Sequence, residues 1–314
     1  MIKLQYAAPH TGARPIPNHT PNPTKGVLLV MGAVFIFAMS DTVTKHLATI
    51  YPISIVLLMR YGVNVVLLLA ILFPSQGASF WRTKRTTLVT VRALTLCVAS
   101  LTMAMALRVM PVAEAVSIVY LAPFAVMLLA MPLLGERVNW VGWLGAGLGF
   151  TGVFLIARPG GDLPPLGVAL CLFNAVCGTA YNLLTKVLSR GETTNALLFN
   201  TAFVGTIVFA LLSIGQWHGP MPGLLDFGLM VVLGLLMTSG HFLFTAAYRE
   251  APASTVAPIG YMQLFWSGGL GWLVFGHVPD AISLVGMGLV VVAGVAIALR
   301  SHIDGRKAQA LPLL

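Results

Sequence analysis

Apolar residues occur along this chain in long blocks, with little of the alternation that marks a strand. Crossing the hydrocarbon core of a membrane as a helix takes roughly 20 predominantly apolar residues. Ten runs approach that length: 26–46, 53–73, 88–107, 112–134, 140–157, 166–186, 196–215, 225–247, 253–275 and 281–299. Residues that end helices or require water separate them. These are Pro52, Trp81-Arg82-Thr83-Lys84-Arg85, Pro111, Gly135-Glu136-Arg137, Pro159-Gly160-Gly161, Arg190-Gly191-Glu192, His218-Gly219-Pro220, Pro252 and Pro279. The pattern predicts an all-α membrane protein with ten transmembrane helices. Residues 1–24, with Pro9, Pro15, Pro17, Pro21 and Pro23 and no apolar run, are expected to form a disordered tail without the apolar region of a signal peptide. Residues 300–314 are expected to form a second, short polar tail.

Composition supports lipid as the solvent. Of the 314 residues, 58% are hydrophobic and 9% charged, and the mean hydropathy is +0.90, where a soluble domain carries about a quarter charged residues. The net charge of +9 sits in short connections, where it suits an anionic leaflet better than nucleic acid. With the N-terminus inside, thirteen Lys and Arg fall in cytoplasmic segments, three outside, and Arg60 and Arg92 within helices. That bias places both termini in the cytoplasm, and an even number of spans agrees with it. A bacterial inner membrane is the expected location. Cys97, Cys171 and Cys177 lie in apolar runs without paired or zinc-type spacing, so neither a disulfide nor a metal site is expected.

The chain also matches itself at a shift of 141 residues. Gly26 falls on Gly167, Thr44-Lys45 on Thr185-Lys186, Ala106 on Ala247, Arg108 on Arg249 and Pro111 on Pro252. Ile118 falls on Ile259, Tyr120 on Tyr261, Gly135 on Gly276 and Gly145 on Gly286. One constant offset over most of five helices indicates a duplicated five-helix unit. Because five is odd, the second copy enters the membrane from the opposite side. Inverted repeats are a recurrent architecture of secondary transporters, although channels and some membrane enzymes use them too.

At the repeated segments the chain closely resembles the EamA repeat of the drug/metabolite transporter superfamily. The residues that carry this are Ala106-Leu107-Arg108-Val109-Met110-Pro111-Val112-Ala113-Glu114-Ala115, then Leu134-Gly135-Glu136-Arg137-Val138, Trp143-Leu144-Gly145 and Gly149-Phe150-Thr151-Gly152-Val153. The second copy reads Ala247-Tyr248-Arg249-Glu250-Ala251-Pro252-Ala253, Phe275-Gly276-His277 and Gly286 onward, with His277 where the family usually has Glu. The resemblance implies a first repeat over 25–158, a second over 166–299, cytoplasmic termini and a cavity between the halves. Ser40-Asp41, Lys45 and Arg60 look most like the subgroup of riboflavin and S-adenosylmethionine carriers.

Ionisable groups within membrane helices cost several kcal/mol unless paired or hydrated, so each is a candidate. Asp41 and Lys45 share a face of the first helix. They form a charged gate or substrate contact, or else an ion pair near the outer end. Asn182 and Lys186 occupy the equivalent places near the inner end. Arg60 neutralises a substrate carboxylate or ties two helices. Arg92 is expected to snorkel to the cytoplasmic face. Glu114 couples protons or balances Lys45 and Arg108. Tyr120 and Tyr261, near mid-membrane, are the first choice for the substrate site; packing with satisfied hydroxyls is the alternative. Gln263, Trp266, Asn174, Tyr181 and His241 complete the substrate-site candidates. Gly142, Gly145, Gly149 and Gly152 fit close helix packing.

These features point to a secondary transporter of a small organic metabolite working by alternating access. An aromatic or heterocyclic compound such as riboflavin is one expectation. An exporter of amino-acid-like metabolites, metallophores or drugs is another, and a channel or scaffold subunit a third. No nucleotide-binding GxxxxGK[ST] or HExxH is present, so no cofactor and no enzymatic activity is expected. The expected partners are the solute, membrane lipid and a proton gradient, in a monomer or homodimer.

Overall fold

The computed structural model describes residues 22–134, 138, 140–158, 161–189, 191–216, 221–251, 256 and 259–310. Residues 1–21, Gly135-Glu136-Arg137, Pro252-Ala253, 311–314 and the side chains of Tyr248 and Arg249 lie outside that description, and with them the expected N-terminal tail and part of both repeat motifs.

Among the described residues every regular element is helical. The helices are α1 (Pro23–Ile50), α2 (Ile53–Gln76), α3 (Thr86–Val109), α4 (Val112–Val119), α5 (Leu121–Leu134) and α6 (Trp140–Ile156). They continue as α7 (Pro165–Leu188), α8 (Thr194–Ser213), α9 (Leu224–Glu250), α10 (Met262–Phe275) and α11 (Ala281–Ala310). Eight helical spans are long and apolar enough to cross a membrane, counting α4 and α5 together as one. α6 is a shorter apolar helix, and α10 continues the ninth run after Tyr261. The chain is thus a multi-pass membrane protein of ten spans. α11 runs on to Ala310, so most of the expected C-terminal tail extends the last helix.

Local chemistry sets the ends. Asn22 caps α1 by accepting from the Lys25 amide at 3.1 Å, ahead of Pro23 in the first turn. Thr193 caps α8 in the same way through the Ala196 amide at 3.2 Å. Gly276, with φ +68°, ends α10 in the left-handed conformation. The fourth span breaks at Tyr120 because Pro123 has no N–H to offer the Val119 carbonyl and its ring crowds that oxygen. The ninth span turns at Tyr261, the repeat-related position.

Ten crossings return the chain to its starting side. α1 begins and α11 ends on one face, here the terminal face; the other is the distal face. Packing follows the duplication. Exchanging the two five-span units turns the α1–α9 contact into α7–α3, α1–α10 into α7 with α4 and α5, and α2–α9 into α8–α3. The contacts α2–α8, α4–α10 and α6–α11 map onto themselves. Both members of each of these related contacts are present, so the halves interlock about a pseudo-twofold axis. Small residues allow the close approaches. A Cβ on Gly26 would lie 2.5 Å from the Ala251 Cβ, and one on Gly167, its repeat mate, 2.9 Å from the Met110 sulfur. Ala251 and Met110 are themselves repeat-related positions.

Candidate functional site

Both faces are laced by polar ties. On the terminal face, Glu250 accepts from the Lys25 ammonium at 2.6 Å and the Asn22 amide at 3.2 Å. Glu192 accepts from the backbone amides of Lys84 and Arg85 at 2.9 and 2.7 Å. On the distal face, Glu114, 2% exposed, meets His277 at 2.8 Å, and Arg158 meets Asp280 at 3.1 Å. Tyr51 donates to Asp226 at 2.7 Å.

Between these faces lie two adjoining lobes of cavity, of about 110 and 40 Å³, whose linings have Asn64, Leu198 and His241 in common. The larger lobe reaches the terminal face at Thr194, Asn195, Thr245 and Ala246. The smaller one ends at Arg60, Tyr61, Tyr181 and Thr201. Its walls come from α2, α3, α7, α8 and α9, drawn from both halves. Arg60 sits over the Tyr61 ring, 5.6 Å from its centroid. Tyr61 is itself fixed by its hydroxyl contact with Ser100 at 2.7 Å and by packing against Phe209. Among the described residues, no hydrogen bond or ion pair engages the side chains of Arg60 and Asn64. A guanidinium inside a membrane protein without a protein anion requires water or a solute anion.

Sequence reasoning expected Arg92 to snorkel. It is instead 3% exposed and fully engaged. Its guanidinium donates to Tyr181 at 2.6 Å, Thr185 at 2.6 Å, Thr201 at 2.9 Å and the Leu197 carbonyl at 3.2 Å. It also lies 4.3 Å from the Tyr181 ring centroid. The buried hydroxyls of α7 and α8 outcompete the interface because each satisfies a donor that snorkelling would leave to headgroups.

The remaining candidates divide. Arg60, Tyr181 and His241 come together around the cavity, and the His241 ring meets Phe37 edge to face at 5.1 Å. Tyr120 and Tyr261 do meet each other, with ring centroids 5.0 Å apart. They do so beside the packed core near the axis, among Ala113, Val116 and Val290. Tyr120 donates to the Gly260 carbonyl at 2.7 Å and lies 3.2 Å from Gln263 Oε1, while Gln263 Nε2 donates to Asp41 at 3.1 Å. This chain links the fourth, ninth and first spans beyond the Arg60 end of the cavity.

Asp41 and Lys45 share a helix face but make no ion pair with each other among the described residues. Lys45 donates to the Leu107 and Met110 carbonyls at 2.9 and 2.8 Å, closing the free C-terminal end of α3. Its mate Lys186 also has an interaction partner. Asn182 is exposed on α7. Asn174, 6% exposed, donates to the Ala99 carbonyl and ties α7 to α3. Trp266 packs edge to face on Phe35 at 5.0 Å, against the α1–α9 contact. Asn64, Asn195, Thr201 and Thr238 were not singled out from sequence. Polar residues one helical repeat apart from Arg60 and His241 were the available signal.

The EamA-like transporter family matches residues 24–158 and 165–300. The chain belongs to this family. It is 26% identical over 274 residues to a pseudopaline exporter of Pseudomonas aeruginosa, covering 87% of this chain and 95% of that one. It is 28% identical over 191 residues to a riboflavin transporter of Rhizobium johnstonii, covering 61% of this chain and 63% of that one. An S-adenosylmethionine uptake transporter of Rickettsia bellii is 23% identical over 255 residues, covering 81% and 86%. A crystal structure covering 91% of this chain and 99% of its own superposes with a TM-score of 0.64 at 19% identity and shares the fold. This EamA-family chain is therefore a transporter of small molecules and not an enzyme.

Proposed function

We propose that this EamA-family protein is a secondary-active transporter of a small organic anion or zwitterion bearing a carboxylate, working by alternating access. The observation that carries the reading is Arg60: a guanidinium at the blind end of a cavity built from both halves, without an anionic contact among the described residues. The lining offers amides, hydroxyls and one fixed cation, and no carboxylate. That donor set suits an amino-acid-like metabolite and disfavours a cationic solute such as S-adenosylmethionine. It also disfavours a flat heterocycle such as riboflavin, because Tyr181 is committed to Arg92 and His241 to Phe37. The described lining of this cavity opens toward the terminal face at Thr194, Asn195, Thr245 and Ala246. With the excess of Lys and Arg in the connections on that side, the reading places both termini in the cytoplasm of a bacterial inner membrane. The structure is then an inward-facing state.

The test is flux into proteoliposomes containing the purified protein, using labelled amino acids, short dicarboxylates, riboflavin and S-adenosylmethionine. Saturable flux of a carboxylate-bearing compound, lost in Arg60→Gln with the protein still folded, supports the reading. Flux indifferent to Arg60→Gln, or non-saturating conductance, overturns it.

A further inference from the structure

Among the described carboxylates, Glu114 meets His277, Glu250 meets Lys25, Asp280 meets Arg158, Asp226 accepts from Tyr51 and Glu192 from two loop amides. Asp162 lies in the connection between α6 and α7. Asp41 alone stands inside the bundle away from both faces and without a cation in contact. It lies about 13 Å from the distal end of α1, and Arg60 about 10 Å from the distal end of α2, at 1.5 Å per residue. The two are therefore at a similar depth, on helices that pack against each other.

We propose that Asp41 is a proton-binding site, and that a proton enters on Asp41 together with the substrate anion that takes Arg60. This rests on the carboxylate reading of the cavity given above. In the empty cavity, Arg60 supplies the counter-charge for Asp41. A substrate carboxylate on Arg60 takes that counter-charge and leaves one net negative charge in a medium that holds such charge only at high cost. A proton on a carboxylate oxygen of Asp41 restores the balance, so anion and proton travel in the same direction. The Asp41–Gln263 hydrogen bond then changes from charge-assisted to neutral and weakens. Gln263 also lies beside the Tyr120 hydroxyl, and Tyr120 marks the break between α4 and α5. Occupancy of Asp41 is thus felt where the fourth span is discontinuous.

Titratable and polar groups lie on every element packed on α1. They are Arg60 of α2, Arg92 and Arg108 of α3, Glu114 and Tyr120 of the fourth span and His241 of α9. The ninth span adds Tyr261 and Gln263, with His277 just past α10, and α1 itself adds Lys45. Glu114 is hydrogen-bonded to His277, Arg92 to Tyr181 and Lys45 to two carbonyls. Arg60 and Arg108 have no hydrogen bond or ion pair among the described residues, and Arg60 is the one at the depth of Asp41.

The experiment is net uptake of the carboxylate-bearing compound found in the panel, with and without a two-unit pH gradient. One proton per substrate supports up to about a hundredfold accumulation across that gradient, since each factor of ten is about 1.4 kcal/mol. The wild type is expected to respond to the gradient. Asp41→Asn is expected to lose that response while exchange across the membrane stays measurable. Saturable wild-type uptake that ignores the gradient overturns the proposal, whether or not the variant folds. If no panel compound moves, the carboxylate reading has failed, and the proton site is judged separately. Infrared difference spectra of substrate-free protein carrying labelled aspartate should then show a protonatable carboxyl that is missing in Asp41→Asn. Identical spectra overturn the proposal.

Discussion

Gly152 and Gly286 touch backbone to backbone where α6 crosses α11. A Cβ on Gly152 would lie 2.6 Å from the Gly286 carbonyl oxygen, and one on Gly286 would lie 2.5 Å from that of Gly152. The duplication repeats this contact, with Gly145 facing Ala293 across the same pair of helices. Overpacking of this kind typically costs about 1–3 kcal/mol, because backbone cannot yield as a side chain does. Gly152→Ala and Gly286→Ala are each expected to lower the thermal unfolding midpoint in detergent. Gly147, one residue face away on α6, has no atom within 4 Å of its would-be Cβ. Gly147→Ala is expected to leave the midpoint unchanged or raise it slightly.

Arg92 and Arg60 are expected to separate stability from transport. Arg92 uses a planar fork to join α3, α7 and α8, and lysine cannot reproduce that geometry. Arg92→Lys is expected to destabilise the protein by about 1–3 kcal/mol, the cost of buried partners left unsatisfied. Tyr181→Phe, which removes one of those bonds, should cost about 1 kcal/mol. Arg60→Lys, which keeps the charge that balances Asp41, should barely move the unfolding midpoint because no protein acceptor is lost, and Arg60→Gln should lower it by less than Arg92→Lys does. The check is a set of melting curves for the four variants beside their flux.

What the sequence showed of this molecule follows from which signals are local. Long apolar blocks and Pro52 or Pro111 fix span ends within a few residues, and the 141-residue offset already contains the inverted symmetry that the paired helix contacts display. The break at Tyr120 was equally present, in Pro123, but it is invisible to a search for apolar length. The site was less legible because partner choice is not local. Asp41 and Lys45 lie four residues apart, yet each finds its partner on another span. Arg92 and Arg60 are both arginines within helices, and only the folded bundle shows that one is saturated by α7 and α8 and the other faces open space. Tyr120 and Tyr261 are matched by the repeat offset, but that spacing says neither that the two rings meet nor that the Tyr120 hydroxyl is held by the Gly260 carbonyl.

Asp280 gives a pH dependence outside the spans. Its carboxyl caps α11, accepting from the Ser283 and Ile282 amides at 3.0 and 2.9 Å and from the Ser283 hydroxyl at 2.9 Å, with Arg158 beside it. The Ser283 amide foremost, then its hydroxyl and Arg158, hold the group at about 2, below its usual 3.8. A carboxyl depressed in the folded state adds stability above its unfolded value, and that stability is lost as the pH falls from near 4 toward 2. The advantage of wild type over Asp280→Asn should therefore be full at neutral pH and shrink across that acid window. Arg158→Gln should narrow it. Midpoints measured from pH 7 down through that window, about two units wide, decide the matter; parallel curves for wild type and Asp280→Asn would count against the cap.

The two tyrosines at the axis are related by the repeat but not by their chemistry, so their phenylalanine variants should differ. The Tyr120 hydroxyl donates to the Gly260 carbonyl and sits beside Gln263, whereas among the described residues the Tyr261 hydroxyl has no hydrogen bond. Tyr120→Phe leaves a carbonyl of the ninth span without its donor and should cost about 1 kcal/mol or somewhat more. Tyr261→Phe keeps the ring, its tilted contact with the Tyr120 ring at 5.0 Å and its contact with Gly294, and should be nearly neutral. Truncating either ring to alanine removes the aromatic contact as well and should cost about 3–5 kcal/mol. The diagnostic quantity is the difference between the two phenylalanine variants in unfolding midpoint and in flux. A symmetrical pair of effects would mean that the hydroxyls act together on the solute; an effect confined to Tyr120→Phe would mean that the phenol holds the fourth span to the ninth.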